Sequence, residues 1–430
     1  MQNIITRKTC RICGEGVFVD ILSIGDLYVS DFITEKESGR TFKAPLELVF
    51  CDPRQGGCGL LQLRHTVSHE VMYRNYWYRS GVNQTMKDAL NEIAQAASAI
   101  VGLKNGDYVI DIGANDGTLL RGYGIEGVNL IGYEPANNLE QYNSVNTTKI
   151  FKDFFNAAAW NESFAGKKSK IVTAIAMFYD LEDPNAFVSD IASVLDDEGV
   201  CVVQQSYLPL MLSTNEVGNI CHEHLEYYAL YSMENLLKRH GLEVFDVTIN
   251  DINGGSFRTY IRHVGKGKSL TVPPGAHGRI DAMRSQEASI GLDTRSPYDA
   301  FVERVNAIRD TSVSFLKEQK AQGKKVYGYG ASTKGNTVLQ YFGIGPDLLI
   351  AIADRNQDKW GTRTVGSDIP IISEEDARAA NPDFFFVLPW HFLKEFESRE
   401  SEFLLRGGQF VVPMPEFRII GRQRKRPLAS

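Results

Sequence analysis

The stretch that decides the fold is residues 108–120, YVIDIGANDGTLL. It opens with an apolar run typical of a buried strand, turns through glycines and continues into the leucines of a helix start. A second apolar run, NLIGYEP (residues 129–135), follows shortly and carries an acid, Glu134, at its end. Strand, glycine turn, helix and strand in this order predict the first βαβ unit of a doubly wound α/β sheet.

The alternation continues on both sides of this unit. Residues 170–181, 187–195 and 199–208 predict a strand, a helix and a strand, and a strand pair is expected around residues 254–264. Before the unit, apolar residues recur at helical spacing and end at a glycine: Met86, Leu90, Ile93, Ala97, Ile100 and Gly102. We therefore expect one α/β domain that ends near residue 275.

A second, smaller α/β domain is predicted towards the C-terminus. Residues 266–297 are rich in proline, glycine and charge and are expected to form a linker or mobile crossover. A long helix is predicted over residues 298–322, followed by strand, glycine turn and helix in residues 324–342. The resulting division is residues 1–66, 67–275 and 276–430.

Four of the six cysteines lie before residue 60. Cys10 and Cys13 have the CxxC spacing of a zinc knuckle, and Cys51 and Cys58 follow a short predicted strand. These four thiols predict one structural zinc in a small N-terminal domain, with no open position for chemistry. The alternative is four reduced cysteines in small turns, because six residues separate the second pair.

Composition excludes several classes of protein. The 430 residues are 43% hydrophobic and carry 46 basic and 53 acidic side chains, a net charge of −7, which argues against a nucleic-acid partner. No apolar run is long enough for a membrane span, and the start resembles no signal peptide, so we expect a cytoplasmic protein without a membrane partner. The basic run at residues 422–426 is expected to be a solvated tail.

The loop from Asp111 to Gly117 predicts the cofactor. It departs from the GxGxxG of dehydrogenases and resembles the DxGxxxG loop of class I S-adenosylmethionine-dependent methyltransferases. The acid Glu134 is placed to accept both ribose hydroxyls. A structural turn or a nicotinamide site is the alternative. The predicted S-adenosylmethionine contacts are Asp111, Gly113, Asn115, Gly117, Glu134, Asp153 and Phe154.

A second glycine loop, residues 328–337, nearly matches a phosphate-binding GxxxxGK[ST] motif, but Asn336 stands where the lysine should be. Nucleoside triphosphate hydrolysis is therefore not expected. Backbone amides at the helix start, with Ser332, Thr333, Lys334 and Asn336, could still bind the diphosphate of a substrate. A loop that needs its glycines only to turn remains the alternative.

The densest polar cluster is NICHEHLEYY, residues 219–228. His222 and His224 flank Glu223, a pattern that permits a metal pair, a structural histidine pair or proton transfer. No third metal ligand with a recognisable spacing follows, and a carboxylate beside an imidazole suits a general base, so proton transfer is favoured.

Several motifs together resemble one family. They are CRIC, CGLLQL, YRSGVNQTM, DIGANDGTLL, YLPLML with ICHEHLEYY, GGSFR and YGASTKGNTVLQYF. The chain resembles the bacterial sugar C-methyltransferases that methylate C3 of dTDP-linked 4-keto deoxysugars. The resemblance implies a zinc-binding domain, a class I Rossmann-like methyltransferase domain and a Rossmann-like C-terminal domain. It also implies that His224 is the base, with Glu223 and His222 beside it, and that Tyr78 lies at the substrate.

Two positions depart from the family pattern. Cys221 stands where a tyrosine often precedes HEH, and Asp180 stands where a histidine is common. We therefore expect a C-methyltransferase of a nucleotide-linked keto sugar, with the sugar and the methylated atom left open. The rival functions are a nicotinamide-dependent oxidoreductase or epimerase of nucleotide sugars and a nucleotide-sugar binding module without catalysis.

Overall fold

A computed structural model of the chain describes residues 4–34, 36, 41–74 and 77–421. The chain folds into two compact units. The first comprises residues 1–19, 49–210 and 225–294, and the second comprises residues 20–48, 211–224 and 295–430. The basic run at 422–426 lies outside the described residues. Over the part of the chain that is described, no helix has the length and apolar character needed to cross a membrane.

Strands and helices are numbered in chain order. The strands are β1 (Ile5–Thr6), β2 (Phe18–Tyr28), β3 (Phe32–Ile33), β4 (Lys43–Cys51), β5 (Leu61–Leu63), β6 (His65–Thr66), β7 (Tyr108–Ile112), β8 (Asn129–Tyr133), β9 (Lys149–Phe151), β10 (Ser169–Ile175), β11 (Leu195–Ser206), β12 (Glu226–Tyr227), β13 (Leu242–Asn250), β14 (Ser256–His263), β15 (Val326–Tyr329), β16 (Ile352–Asp354), β17 (Arg363–Thr364), β18 (Ile371–Ser373), β19 (Phe384–Val387), β20 (Gln409–Val412) and β21 (Arg418–Ile420). The α-helices are α1 (His69–Tyr73), α2 (Gln84–Val101), α3 (Thr118–Arg121), α4 (Glu140–Asn143), α5 (Ala157–Ser163), α6 (Pro184–Val194), α7 (Leu208–Ser213), α8 (Leu230–Lys238), α9 (Ala276–Ile290), α10 (Ser296–Ala321), α11 (Thr333–Phe342), α12 (Glu374–Ala379), α13 (Leu393–Arg399) and α14 (Ser401–Leu405).

The first unit is built on a seven-stranded sheet with the order β13-β14-β11-β10-β7-β8-β9. Strands β7 to β11 pair in parallel, and β14 runs antiparallel to both β11 and β13. The central strand β7 is buried along nearly its whole length, as expected for a strand covered on both faces. The predicted βαβ unit is confirmed, with the glycine loop at the carboxyl end of β7.

Helix α2 shows how the apolar pattern produces a packed element. Its buried residues are Leu90, Ile93, Ala94, Ala97 and Ile100, which lie on one face at spacings of three and four. The side chain of Asn83 caps its start by accepting from Thr85 N, and Gly102 ends it with a left-handed φ of 61°. The predicted helix is confirmed.

The prediction of a linker over residues 266–297 is wrong, because α9 lies there. Ile280 and Met283 of this helix are buried. Glu287, one turn further, is also buried, and its carboxylate accepts from Tyr207 Oη at 2.8 Å and from Leu230 N at 2.7 Å. Glu287 is buried because it caps the start of α8. In the sequence it looks like a polar surface residue, so the hydrophobic pattern does not predict α9.

The second unit is built on a six-stranded sheet with the order β18-β16-β15-β19-β20-β21, parallel except for β21. Its core packs aromatic rings, among them Tyr329 and Phe385, which meet edge to face with centroids 4.9 Å apart. The Tyr329 hydroxyl donates to Glu400 at 2.7 Å, and Glu400 also accepts from Arg378 at 2.6 Å. This buried network satisfies the polar groups that the aromatic core encloses.

Residues 211–224, which carry the HEH sequence, belong to this second unit. Asn215 Nδ2 donates to Pro415 O at 2.8 Å, and Arg304 donates to Asn215 Oδ1 at 2.8 Å and to Leu212 O at 2.6 Å. The sequence-based division placed this segment in residues 67–275. Its hydrogen bonds to residues distant in sequence explain the difference, which a reading along the chain does not detect.

Candidate active site and zinc centre

Four sulfur atoms converge in the first unit. Cys10 Sγ lies 3.5 Å from Cys58 Sγ, and Cys13 Sγ lies 3.5 Å from Cys51 Sγ. All four lie within 4.8 Å of one another. A tetrahedral zinc with Zn–S bonds of about 2.3 Å separates its sulfurs by roughly 3.8 Å. The four thiols therefore fit one zinc ion and leave no position open for a substrate.

Two asparagines attach the zinc-binding loops to the methyltransferase fold. Asn185, near the start of α6, donates through Nδ2 to Arg11 O at 2.8 Å and to Ile12 O at 3.0 Å. Asn235 of α8 donates to Cys58 O at 3.0 Å. Each loop is thus held by a side chain from a helix that packs on the seven-stranded sheet. Loss of the metal should therefore also destabilise the packing of α6 and α8.

The glycine loop after β7 is shaped by hydrogen bonds to the neighbouring strand. Gly113 N and Ala114 N both donate to Tyr133 O, at 2.9 and 3.0 Å. Glu134 then accepts from Asn115 N at 2.7 Å through Oε2 and from Ala136 N at 2.8 Å through Oε1. The acid predicted for the ribose therefore also fixes the loop, and each of its oxygens retains a further lone pair for a ligand.

Side chains are excluded at two points of this loop. Gly113 has a φ of 71°, and a Cβ there would lie 3.2 Å from the side chain of Met177. Gly117 has a φ of 77°, and its Cβ would lie 3.1 Å from the backbone oxygen of Asn143. Such left-handed positions favour glycine. Both glycines are therefore required by the turn of the loop and by its packing against Met177 and Asn143, and the loop keeps the DxGxxxG form predicted for the adenosyl cofactor.

Two carboxyl groups beneath the loop are buried. Burial raises the pKa of Asp111 to about 7, against a hydrogen bond of 2.6 Å donated by Thr173. Burial also raises the pKa of Glu134 to about 7, which its two backbone hydrogen bonds partly counteract. Asp111 is engaged with Thr173 inside the sheet, so its role is to support the loop from below.

Asn115 contacts a second segment of the first unit. Its Nδ2 donates to Tyr78 O at 3.0 Å, and its Oδ1 accepts from Ser80 N at 2.9 Å. Asp116 adds a bond from Gly81 N at 2.7 Å. Tyr78 itself is 44% exposed, yet burial of its hydroxyl raises the pKa to about 12. The sequence predicts Asn115 as a cofactor ligand, and the structure shows that its side chain holds the Tyr78 segment against the glycine loop.

Asp153 and Phe154 follow β9 and lie beside Arg74. Arg74 Nη2 donates to Asp153 Oδ1 at 3.3 Å, and its guanidinium lies 5.2 Å from the Phe154 ring centroid. The ring of His69 lies 5.7 Å from the same ring. This aromatic and charged pair stands after the third parallel strand, where the sequence predicts the adenine contacts.

The two histidines of the HEH sequence have different partners. His224 Nδ1 lies 3.0 Å from Asn219 O, and His222 Nε2 lies 2.9 Å from Ala44 O. A carbonyl oxygen can only accept, so the proton sits on Nδ1 of His224 and on Nε2 of His222. His224 therefore keeps a lone pair on Nε2. Burial lowers the pKa of His224 to about 3, with the Lys334 charge adding, and burial lowers the pKa of His222 to about 4.

Glu223 and Lys334 complete the surroundings of His224. Burial raises the pKa of Glu223 to about 7, the Asp31 charge adds to the rise, and the Lys334 charge and a Thr333 hydrogen bond oppose it. Lys334 lies in the first turn of α11, one residue after Thr333. The structure thus brings the HEH sequence and the second glycine loop together, although the sequence separates them by about a hundred residues.

The remaining predicted residues of the second glycine loop face inwards. Ser332 caps α11 by accepting from Gly335 N at 2.9 Å. Asn336 is 1% exposed, and its Oδ1 accepts from Ser367 Oγ at 3.4 Å. The side chain of Asn336 is therefore unsuited to a direct substrate contact, because a buried amide beside Ser367 is not accessible to a diphosphate.

Sequence reasoning missed three polar residues around Lys334. Glu216 is 5% exposed and accepts from Trp390 Nε1, and the Lys334 charge acts on it. Burial lowers the pKa of His391 to about 3, again with the Lys334 charge adding. Trp390 and His391 follow β19, and loops at the carboxyl ends of parallel strands are where ligands bind in such sheets. That rule, applied to residues 383–389, is the signal that could have found them.

The second unit repeats the arrangement of acid and loop. Asp354 at the end of β16 accepts from Ala331 N at 2.7 Å and from Asn356 N at 2.7 Å. Here the acid is already paired, since Lys359 Nζ lies 3.7 Å from Asp354 and donates to Ala331 O at 2.7 Å. Burial lowers the pKa of Lys359. The second glycine loop therefore has the shape of a ligand-binding loop, but its acid, Asp354, is already paired with Lys359.

The strand order, the glycine loop and the acid after β8 define a class I S-adenosylmethionine-dependent methyltransferase. Three family models match the chain in succession: a zinc binding domain over residues 10–73, a methyltransferase domain over residues 78–247 and a C-methyltransferase C-terminal domain over residues 251–415. The chain therefore has the three domains of an S-adenosylmethionine-dependent C-methyltransferase, with S-adenosylmethionine and zinc as its cofactors.

Several individual proteins are similar to the chain. The C-methyltransferase NovU of Streptomyces niveus is 29% identical over 428 residues, covering 98% of this chain and 99% of its own. A methyltransferase structure from Clostridium acetobutylicum is 10% identical with a TM-score of 0.34, and covers 41% of this chain and 92% of its own. Magnesium protoporphyrin IX methyltransferase from Synechocystis is 13% identical with a TM-score of 0.31, and covers 41% of this chain and 79% of its own.

Replacing one zinc ligand tests the metal centre. We expect the purified chain to hold about one tightly bound zinc, and Cys10→Ser to lose it and to unfold at a lower temperature, because three thiols do not close a structural site. Metal analysis and thermal melting measure both effects. Cys201→Ser is the matched control, since Cys201 is also a buried thiol but lies outside the cluster. Equal zinc content in Cys10→Ser and Cys201→Ser would exclude the site.

Replacing the acid of the first loop tests the cofactor site. Glu134→Gln should weaken S-adenosylmethionine binding by about 10–100-fold, because hydrogen bonds to a charged group are worth about 1.5–3 kcal/mol each. The ionised carboxylate is the better acceptor, and its pKa is about 7. Wild-type affinity should therefore rise as the pH increases through about 7, and Glu134→Gln should lack this increase. Calorimetry at several pH values measures both.

The glycine loop supplies a second test of the same site. Gly113→Val should weaken S-adenosylmethionine binding by distorting the loop, because Gly113 has a φ of 71° and a Cβ there would lie 3.2 Å from the Met177 side chain. Gly166→Ala is the control, since Gly166 has a similar φ of 74° and open space around its Cβ position. Unchanged affinity in both Gly113→Val and Glu134→Gln would place the cofactor elsewhere.

Proposed function

We propose that the chain methylates C3 of a nucleotide-linked 4-keto deoxysugar, dTDP-linked as in the family it resembles, with His224 as the base. The observation that carries the proposal is the bond between His224 Nδ1 and Asn219 O, because it leaves a lone pair on Nε2 of a neutral imidazole. A neutral histidine with one nitrogen anchored and the other unprotonated has the form that a general base requires.

Carbon methylation needs this base. A carbon attacks a methyl donor only when it carries electron density, and the keto group at C4 makes the proton on C3 removable. His224 Nε2 takes that proton, and the electron pair of the broken C–H bond moves onto the carbonyl oxygen to give an enolate. When bound, S-adenosylmethionine would supply the electrophilic methyl group for C3 and would leave as S-adenosylhomocysteine.

Charged groups around His224 support the same chemistry. Lys334 acts electrostatically on both His224 and Glu223. A cation in this position favours the neutral form of the imidazole. Glu223 orients or steadies the reacting groups, and Tyr78 helps to position the sugar.

The role of His222 differs from that of its neighbour. It is buried, and its Nε2–H is held by Ala44 O of β4. We therefore assign it to the support of the HEH turn. This assignment makes His222 the matched control for any experiment on His224.

Deuterium exchange tests the base without methyl transfer. With a nucleotide-linked 4-keto deoxysugar and S-adenosylhomocysteine in D2O, the wild type should place deuterium at C3. His224→Asn should slow this exchange by about 10²–10⁴-fold while both ligands still bind, because general bases contribute that much. Mass spectrometry of the recovered sugar measures the exchange. His222→Asn should keep most of it, and undiminished exchange in His224→Asn would assign the base to another group.

Substrate anchoring has its own test. Lys334→Ala should raise the KM for the nucleotide sugar by about 10–100-fold and leave S-adenosylmethionine affinity unchanged, because a charged hydrogen bond to a diphosphate is lost. Lys324→Ala is the control, since Lys324 is an exposed lysine of the same unit, paired with Asp383. A fall in kcat with an unchanged KM would instead show that the Lys334 ammonium stabilises the enolate and does not bind the diphosphate.

A further inference from the structure

The residues 221–224 form a tight turn with the spacing of a metal knuckle. His224 N donates to Cys221 O at 3.1 Å and closes this turn over three residues, whereas in the zinc centre Gly14 N donates to Cys10 O at 3.0 Å over four residues. The turn sets two ligand-type side chains three positions apart, in a C-x-x-H spacing that parallels C-x-x-C. The sequence permits a metal pair of His222 and His224. In the structure the side chain grouped with His224 is that of Cys221 and not that of His222.

Three ligand atoms meet at this turn. The Cys221 sulfur, a Glu223 carboxylate oxygen and a His224 ring nitrogen all lie within 4.8 Å of one another. Cys221 and His224 are 1% and 7% exposed. His222 is not part of the group. A set of one sulfur, one oxygen and one nitrogen leaves a fourth tetrahedral position open, unlike the closed set of four thiols.

The Nδ1 atom of the His224 imidazole is held by a hydrogen bond, as is usual for the second ring nitrogen of a metal-bound histidine. Metal-bound histidines usually donate their other ring N–H to a carbonyl or carboxylate, which fixes the tautomer and turns the lone pair towards the ion. Asn219 O holds Nδ1–H of His224 in this way, so the lone pair of the neutral ring is on Nε2.

The charges nearby allow a cation but weaken its binding. Asp31 acts on Glu223, and Glu216 lies within the electrostatic range of Lys334. The Asp31 and Glu223 carboxyl groups thus act at the turn together with the Lys334 ammonium. Lys334 acts directly on Glu223 and His224, however, so an ion here is held less tightly than at the four-cysteine centre.

We propose that Cys221, Glu223 and His224 form a second, reversible zinc site, and that zinc inhibits the enzyme by occupying Nε2 of His224. The inhibition rests on the proposed role of His224 as the base, whereas the binding of the ion does not. Sulfur and imidazole ligands select zinc, or cobalt as its spectroscopic substitute, over magnesium and calcium. The cysteine at position 221 gives this chain a thiol that the related enzymes often replace by tyrosine.

Cobalt titration tests the site directly. Co2+ is added to the full chain with its structural zinc bound, and the charge-transfer absorption of a thiolate–cobalt bond is followed. The wild type should develop this band without releasing zinc, Cys221→Ser should not, and Cys201→Ser should behave as the wild type. Glu223→Gln should keep the band and bind cobalt more weakly by more than about tenfold. A band of equal strength in Cys221→Ser would overturn the site, even if that variant were partly unfolded, because Glu223→Gln tests the same ion independently.

Deuterium exchange with added Zn2+ tests the inhibition. Wild-type exchange should fall as zinc is added and recover with a chelator, and Cys221→Ser should need more than about tenfold more zinc for the same loss. Equal zinc sensitivity of the two proteins would overturn the inhibitory role. If cobalt binds as expected but the wild type shows no exchange before zinc is added, the site stands and His224 is not the base, so the two proposals fail separately.

Discussion

A carboxylate at the end of one parallel strand holds the loop that follows the neighbouring strand, and the seven-stranded and six-stranded sheets both depend on this bond. Glu134 accepts from Asn115 N, and Asp354 accepts from Ala331 N, each at 2.7 Å. The loops would otherwise carry buried N–H groups without partners, which is costly. Both loops are therefore set in shape before a ligand arrives. The difference lies in the acids, because Lys359 already pairs with Asp354, and the first loop is the one left to take the cofactor.

Charge and burial divide the polar residues of the second unit into two groups. Around Lys334, Glu223 and His224 carry shifted pKa values, and His391 follows the parallel strand β19, at the edge of the sheet where function concentrates. Around Glu400, Tyr329 and Arg378 form a hydrogen-bonded network beside an aromatic core. Tyr329 and Glu400 are each 1% exposed, so burial alone does not separate a working site from structural support. The separation comes from the tautomer of His224, because a proton on Nδ1 leaves a basic nitrogen at Nε2.

Much of the fold could be predicted from the sequence, because its elements obey local rules. The glycine loop, the acid at Glu134, helix α2 with its stop at Gly102 and the four-cysteine cluster all follow from spacing and residue type. Helix α9 could not be predicted, since Glu287 is buried by hydrogen bonds to residues far away in sequence. The different partners of His222 and His224 were equally hidden, because they depend on Ala44 and Asn219. Tertiary contacts decide which member of a motif is available for chemistry.

The side chain of Asn115 has a thermodynamic consequence. It bonds at both ends to the segment of Tyr78 and Ser80, while its own N–H is held by Glu134. Coupling of this kind is reciprocal, so a molecule that steadies the loop also steadies the tyrosine, and the reverse. The adenosyl compound and the sugar should therefore each raise the affinity for the other by the same factor, whichever binds first. A single amide would then couple the two binding events.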